Sequence, residues 1–152
     1  EIERHGMRPG TRVRHVAIEP ADDGVAEGLG LAPGTPVVAL SRIRLADEQP
    51  IVSETSYLPA ARFGGLERYD FSQASLYATL RGSFGVRPVR ARESFVPVLL
   101  TAEEALSLGG EAGDPILSVD RTTYDSDGVI IEFCRSILRA DRYRYSVEMR
   151  EA

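Results

Sequence analysis

Two arginines in one apolar stretch have the spacing of an anion-binding site. Arg42 and Arg44 lie within residues 37–45, a run that begins after Pro36 and has the composition of a β-strand. Side chains two residues apart in a strand point to the same face, about 6.5 to 7 Å from each other. Guanidinium groups bind phosphate and carboxylate through paired N–H donors. Two arginines at this spacing can therefore hold one anion between them.

The stretch around Arg42 recurs later in the chain. Five residues, Leu29, Gly30, Gly34, Pro36 and Arg42, reappear 79 positions further on as Leu108, Gly109, Gly113, Pro115 and Arg121. With one residue fewer in between, Glu54 matches Glu132, 78 positions later. A solenoid needs at least about three copies. The repeat therefore predicts a duplicated unit of one helix and one hairpin.

Each copy of the repeat contains signals for a short helix and then a β-hairpin. Asp22 and Thr101 stand where N-cap residues are expected, and Thr101 with Glu104 forms a capping box. After each helix, two apolar runs flank an acidic turn, which is typical of a hairpin. The paired strands are predicted at residues 37–45 with 51–58, and at residues 116–124 with 129–138.

The hairpins allow a second interpretation of the charged residues, as cross-strand ion pairs. The expected registers place Arg42 opposite Glu54 and Arg121 opposite Glu132. Such pairs contribute only about 0.2 to 1 kcal/mol each. In the same register Arg44 has no local acidic partner, which favours a ligand contact at that position. Spacing alone leaves both interpretations open.

Four further elements complete the expected fold. They are a strand at residues 11–19, an amphipathic helix at 75–84, a strand at 87–99 and a last strand at 142–149, where apolar and charged residues alternate. Strands joined by hairpins, with helices between them, indicate an α+β domain with a mainly antiparallel sheet. We expect residues 1–152 to form this single domain.

Composition excludes several classes of protein. The 43% hydrophobic and 27% charged residues are typical of a soluble globular protein, and no apolar run approaches the roughly 18 residues that cross a bilayer. A net charge of −5 gives no general attraction to nucleic acid. Cys134 is the single cysteine, which excludes an internal disulfide framework and favours the cytoplasm. We expect no membrane partner.

The residue types that most catalytic and metal sites need are scarce. His5 and His15 are the only histidines, and Cys134 has no CxxC motif or nearby histidine. We therefore expect no metal site, no nucleophilic catalytic residue and no cofactor. The chain begins at Glu1 without a basic and apolar leader, so we expect no signal peptide and a longer parent protein.

A series of short motifs, taken in order, resembles the UTRA effector-binding domain of HutC-type GntR transcription regulators. The motifs are residues 34–38, Arg42-Ile43-Arg44, Asp47, Pro50, Glu54, Tyr57-Leu58-Pro59, Ser75-Leu76-Tyr77 and residues 141–145. Their order covers essentially the whole chain. The resemblance implies a chorismate-lyase-like fold, a homodimer and a small-molecule pocket. It also implies a winged-helix domain before Glu1, through which alone DNA would be bound.

The resemblance also implies which residues bind the ligand. Arg42 and Arg44 match arginines that hold the phosphate in sugar-phosphate-responsive members, Ser75 and Tyr77 match helix-start positions that assist them, and Glu54 and Glu132 match carboxylates that bind the sugar's polar groups. Other members bind organic acids or phosphonates. Ser75 as an ordinary first-turn residue and Tyr77 as a core residue are the simpler alternatives.

These patterns favour a sensor domain over an enzyme. We expect a ligand-sensing domain of a bacterial transcription regulator, which binds a small anionic effector such as a phosphorylated sugar and transmits the signal through a dimer. The alternative is a lyase acting on a small carboxylate such as chorismate, because the implied fold is shared with chorismate lyase. A shared fold does not by itself determine function.

Overall fold

The architecture is a six-stranded sheet with short helices on both faces. The structure, a computed structural model, describes residues 6–142 and 144–151. In this part of the chain the strands are β1 (Pro9–Pro20), β2 (Pro36–Ala46), β3 (Gln49–Pro59), β4 (Pro88–Leu99), β5 (Pro115–Asp125) and β6 (Ile130–Leu138). The helices are α1 (Asp23–Leu29), α2 (Ala60–Phe63), α3 (Leu76–Ser83) and α4 (Ala102–Leu108), with a 3-10 turn at Leu66–Arg68.

All neighbouring strands of the sheet are antiparallel. Their order is β1-β2-β3-β6-β5-β4, so β3 and β6 lie side by side at the centre. The α+β fold with a mainly antiparallel sheet, expected from the hairpin pattern, is confirmed. None of the helices in the described ranges is both long and apolar enough to cross a membrane.

The internal repeat is visible in the sheet and is larger than the sequence predicted. The units β1-α1-β2-β3 and β4-α4-β5-β6 follow the same order, and their matching strands begin 79 residues apart, at Pro9 and Pro88 and at Pro36 and Pro115. The sheet order reads the same from either edge, so the two copies are related by a pseudo-two-fold axis. Each copy therefore includes the strand before its helix as well as the hairpin after it.

The predicted helix caps hold both copies of the short helix in place. Asp22 accepts a hydrogen bond from the Val25 amide at 2.8 Å, and Thr101 accepts one from the Glu104 amide at 3.1 Å. α1 packs with Val37 and Phe133 on one face of the sheet, and α4 packs on the same face in the other half. This face is buried in both copies.

The opposite face is covered unevenly. In the first copy, α2, the 3-10 turn and α3 pack over Val38, Leu40 and Leu58. In the second copy, the described residues that follow β6 contain no helix. The second half of this face therefore lacks an equivalent helical cover.

The register of the first hairpin is confirmed and that of the second is wrong. Arg42 lies opposite Glu54, as expected. In the second hairpin Arg121 lies opposite Cys134, and Glu132 lies opposite Thr123.

The shift in the second hairpin arises from its turn and a bulge. The Asp125 amide donates to the Val129 carbonyl at 2.9 Å, so Asp125 pairs with Val129 and not with Gly128. The ladder is also irregular between Thr123 and Tyr124, where Ile131 is the extra residue. Together these changes move the register by two residues, which keeps Arg121 and Glu132 on the same face.

The predicted last strand is wrong in its described part. Residues 144–151 are not in a strand, while Tyr143 lies outside the described residues. Alternation gives a strand only where a neighbouring backbone completes the ladder, and residues 144–151 pair with none of the six described strands. Instead, Tyr145 packs its ring on Phe95, with a centroid distance of 4.7 Å.

Candidate functional site

A polar cavity of about 650 Å³ opens on the face that carries α3, beside the centre of the sheet. The structure brings all six predicted site residues to its wall: Arg42, Arg44, Glu54, Ser75, Tyr77 and Glu132. Residues 71–74, immediately before α3, and Pro9 and Thr11 of β1 complete one side. We name this cavity the basic pocket. A ligand-binding role for the six residues stays a prediction.

Glu54 lies between the two arginines of β2. Its Oε1 is 3.2 Å from Nη2 of Arg42 and 3.8 Å from Nη1 of Arg44. The expectation that Arg44 has no acidic partner is therefore wrong, because the Glu54 side chain reaches diagonally across the strand pair. The Arg42 side chain is only 6% exposed, whereas that of Arg44 is 38% exposed. Burial lowers the pKa of Arg44, with Glu54 opposing that effect.

Glu132 is the centre of a second charged cluster. Its side chain is fully buried, and its Oε1 accepts hydrogen bonds from Tyr77 at 2.6 Å and Thr123 at 3.1 Å. Nη2 of Arg121 lies 3.4 Å from the same oxygen. Burial and then the Glu132 charge raise the pKa of Tyr77, so its hydroxyl stays protonated and donates. The contacts hold Glu132 in one orientation.

Arg121 also lines the basic pocket. The sequence pattern indicates this residue only as the partner of Glu132 in an ion pair and not as a ligand candidate. Burial works against its charge, but the Glu132 carboxylate beside it raises the pKa of Arg121, so the guanidinium is permanently charged. The signal was present in the sequence, since Arg121 is the repeat counterpart of Arg42.

Ser75 is the N-cap of α3. Its hydroxyl oxygen accepts a hydrogen bond from the Ala78 amide at 3.3 Å, in agreement with the simpler alternative for this residue. Ser75 also lines the basic pocket together with Leu76 and Tyr77. The start of α3 is therefore at the cavity wall, and helix N-termini carry partial positive charge.

The charges and hydrogen bonds of the basic pocket are incompletely balanced. Three arginines line it against two glutamates, which leaves one net positive charge. Nε of Arg42, Nε of Arg121 and Oε2 of Glu132 are buried and have no hydrogen-bond partner among the described protein atoms. Buried polar groups in native proteins are nearly always paired. The exposed parts of Arg44 and Arg121 offer donors for an anion. The three unpaired atoms are shielded from solvent, so a ligand reaches them only when a neighbouring side chain moves.

The described residues offer little for metal chemistry. No group of three or more His, Cys, Asp or Glu side chains within residues 6–142 and 144–151 is placed to hold a metal ion. Cys134 lies at the boundary of the charged clusters, and burial, followed by Glu54 and Glu132, raises the pKa of its thiol to about 12. The thiol is therefore protonated at neutral pH.

Comparison with known proteins identifies the family. The UTRA domain matches residues 4–144. The repressor NagR of Bacillus subtilis is 31% identical over 145 residues, which cover 95% of this chain and 59% of NagR. The repressor PhnF of Mycolicibacterium smegmatis is 38% identical over 129 residues, which cover 85% of this chain and 52% of PhnF. The chain thus spans between half and three-fifths of these relatives.

A solved structure supports the same assignment. The crystal structure of the effector domain of PhnF from Mycobacterium smegmatis superposes with a TM-score of 0.88 at 34% identity, covering 99% of this chain and 92% of that domain. The relatives named here are transcriptional repressors, which confirms the expectation of a regulatory protein and not an enzyme. The crystal structure of the ligand-binding domain of a GntR-family transcriptional regulator from Bordetella bronchiseptica also superposes, with a TM-score of 0.86 at 32% identity, covering 94% of this chain and 91% of that chain. The chain therefore belongs to the UTRA domain family, as its motif order predicted, and it is a regulatory domain of the GntR class of transcription regulators.

Proposed function

We propose that this domain senses a small anionic effector in the basic pocket and that Arg42, Arg44 and Arg121 hold the anion. The observation that carries the proposal is the convergence of three arginines on one cavity with only two carboxylates to balance them. Arg44 is the most exposed of the three and the one with the longest ion-pair distance, 3.8 Å. It is therefore the arginine that can turn from Glu54 to a ligand with the smallest loss of ion-pair energy.

The effector also carries a hydrogen-bond donor. Tyr77, Thr123 and Arg121 all contact Oε1 of Glu132, so the carboxylate is fixed. Its Oε2 is buried and unpaired, and it accepts from the ligand once a neighbouring side chain moves aside. A hydroxyl or ammonium group of the effector supplies that donor. A phosphorylated sugar or a phosphorylated amino sugar has both features. Inorganic phosphate has no donor group held at a distance from the anionic group.

The signal passes to DNA through a homodimer in the cytoplasm. A winged-helix domain outside residues 1–152 would bind the operator DNA. Two half-sites about 34 to 36 Å apart require two copies of that DNA-binding domain, which a homodimer supplies. An effector that binds one dimer arrangement more tightly shifts the equilibrium between arrangements, usually by about 1 to 3 kcal/mol. Sedimentation of the parent protein with and without operator DNA tests the dimer, and a monomer at high concentration would contradict it.

The ligand class is tested by calorimetric titration of the 152-residue chain. A panel of hexose phosphates is compared with the matching unphosphorylated hexoses and with inorganic phosphate. We expect at least one hexose phosphate to bind at least tenfold more tightly than both of its controls. Equal binding of a hexose and its phosphate would contradict the role of the arginines. Equal binding of a hexose phosphate and inorganic phosphate would contradict the role of Glu132.

The lyase alternative makes a different prediction. A lyase would release 4-hydroxybenzoate from chorismate, and product would accumulate in proportion to enzyme and time. We expect the chorismate concentration to be unchanged, since the relatives NagR and PhnF are transcriptional repressors. Measurable turnover that scales with protein concentration would require an enzymatic role.

A further inference from the structure

A second cavity lies on the same sheet face as the basic pocket. Its volume is about 220 Å³, and it shares Arg44, Glu54 and Arg121 with the basic pocket as common walls. We name it the apolar annex. The two cavities are therefore neighbours, separated only by these three charged side chains.

The remaining walls of the annex are largely apolar. Phe95, Val119, Leu138 and Tyr145 line it, with Cys134 and Ser136 from the central strand β6. Glu93 is the one acidic residue among these remaining walls. Val119 and Leu138 are buried, while Phe95 is 39% exposed and is partly covered by the Tyr145 ring. A large aromatic side chain so exposed beside a charged pocket suits contact with an apolar group.

The internal duplication explains why the annex is open. In the first copy, Leu40 and Leu58 are buried beneath α2 and α3. By sheet register, their counterparts in the second copy are Val119 and Leu138. Val119 is smaller than Leu40, and the described residues after β6 include no helix to cover this part of the sheet. The annex is the space that the core of the first copy fills.

From this arrangement we infer that the annex binds a short alkyl, acyl or aryl substituent of the same effector whose anionic group lies among Arg42, Arg44 and Arg121. The inference rests on the proposed anionic site. Three shared walls favour one ligand that spans both cavities, because a group leaving the basic pocket past Arg44 enters the annex directly. An apolar cavity of about 150 Å³ can take up benzene, so the annex has room for a ring or a four-carbon chain.

The test uses phosphonates that share one head group. Methylphosphonate, n-butylphosphonate and phenylphosphonate are titrated into the 152-residue chain by calorimetry. Each methylene that leaves water contributes roughly fourfold in affinity, the equivalent of about 0.8 kcal/mol. We expect butyl- and phenylphosphonate to bind at least tenfold more tightly than methylphosphonate. Equal affinities would contradict the annex while leaving the anionic site intact.

Two variants at one position test where the substituent lies. Ser136→Leu puts a larger apolar side chain into the annex wall and fills the cavity, whereas Ser136→Ala removes only the hydroxyl. We expect Ser136→Leu to abolish the tenfold gain of the longer probes and to leave methylphosphonate binding unchanged. Ser136→Ala should keep the gain. A gain that persists in Ser136→Leu would place the substituent elsewhere and overturn the inference.

Two further outcomes distinguish failure of the annex proposal from failure of the proposed anionic site. If none of the phosphonates and none of the hexose phosphates binds, the anionic site fails and the annex proposal fails with it. If Ser136→Leu instead converts a dimer to a monomer in sedimentation, with probe affinities unchanged, the annex is an interface between copies of the chain. That result would also overturn a ligand-binding role.

Discussion

Thr55 and Arg135 lie opposite each other at the centre of the sheet, and each is the other's counterpart in the repeat. β2 pairs Leu40 with Ser56 and β5 pairs Val119 with Ser136, so residues of β3 match residues of β6 that lie 80 positions later. The pseudo-two-fold axis therefore passes between Thr55 and Arg135. An arginine and a glutamate lie on each side of this axis and on one face, Arg42 with Glu54 and Arg121 with Glu132.

The two copies have diverged at one informative position. The counterpart of Arg44 is Thr123, 79 positions later, and Thr123 donates to Glu132 at 3.1 Å. The second cluster is thus balanced within itself, whereas the first has two arginines on one glutamate. The excess positive charge of the pocket comes from this difference.

We expect Arg44→Ala to weaken binding of a hexose phosphate by roughly 10- to 150-fold, since an arginine–anion bond contributes about 1.5 to 3 kcal/mol. Stability should change by less than about 1 kcal/mol, because the half-exposed Arg44 leaves Glu54 with Arg42 as a partner. Calorimetry and urea unfolding measure the two effects. Arg135→Ala is the matched control, with 41% exposure on the opposite face, and it should not affect binding. Intact affinity in Arg44→Ala would refute the site.

Tyr77→Phe should destabilise the domain by about 1 to 2 kcal/mol, because it removes a 2.6 Å hydrogen bond to the buried Glu132. The ring itself, which packs against the core from the first turn of α3, would remain. Urea denaturation gives the change in the free energy of unfolding. Tyr69→Phe, at a ring 39% exposed to solvent, is the control and should be near neutral. Equal effects of the two substitutions would show that the Tyr77 hydroxyl does not hold Glu132.

Cys134 should resist alkylation in the folded protein. Burial, Glu54 and Glu132 raise its pKa from about 9 to about 12, so at pH 8 the reactive thiolate is nearly absent. The fold therefore favours the protonated thiol, and this contribution to stability is complete below pH 9 and declines as the pH rises from about 9 to about 12. Iodoacetamide labelling followed by mass spectrometry at pH 8 should be slow in buffer and fast in guanidinium chloride. Equal rates would mean that the thiol is accessible.

Two helical glycines should respond oppositely to alanine. A Cβ at Gly28 of α1 would overlap the Phe133 ring, so Gly28→Ala should destabilise by about 1 to 3 kcal/mol despite the better helix propensity. A Cβ at Gly82 of α3 meets nothing within 4 Å, so Gly82→Ala should stabilise by about 0.5 to 1 kcal/mol. Thermal unfolding of both variants measures the difference. Stabilisation by Gly28→Ala would contradict the close packing of α1 on the sheet, and destabilisation by Gly82→Ala would contradict the open space beside α3.

The sequence by itself determined what depends on neighbouring residues. The N-caps Asp22 and Thr101 are set by backbone chemistry within a few residues, and the structure has them where they were expected. The first hairpin has Arg42 opposite Glu54, as expected, and its register combines a two-residue turn with a bulge at Ile51. The repeat and the order of short motifs were sufficient to predict the fold and the family.

Only the tertiary structure decided what depends on side-chain reach and on the covering of the sheet. Ile131 enters the second hairpin as a bulge, and no local pattern distinguishes that residue from its neighbours. Arg44 contacts Glu54 because long side chains on one face meet diagonally, which strict cross-strand pairing does not predict. Alternation in residues 144–151 did not produce a strand, because a strand exists only where another backbone completes its hydrogen bonds.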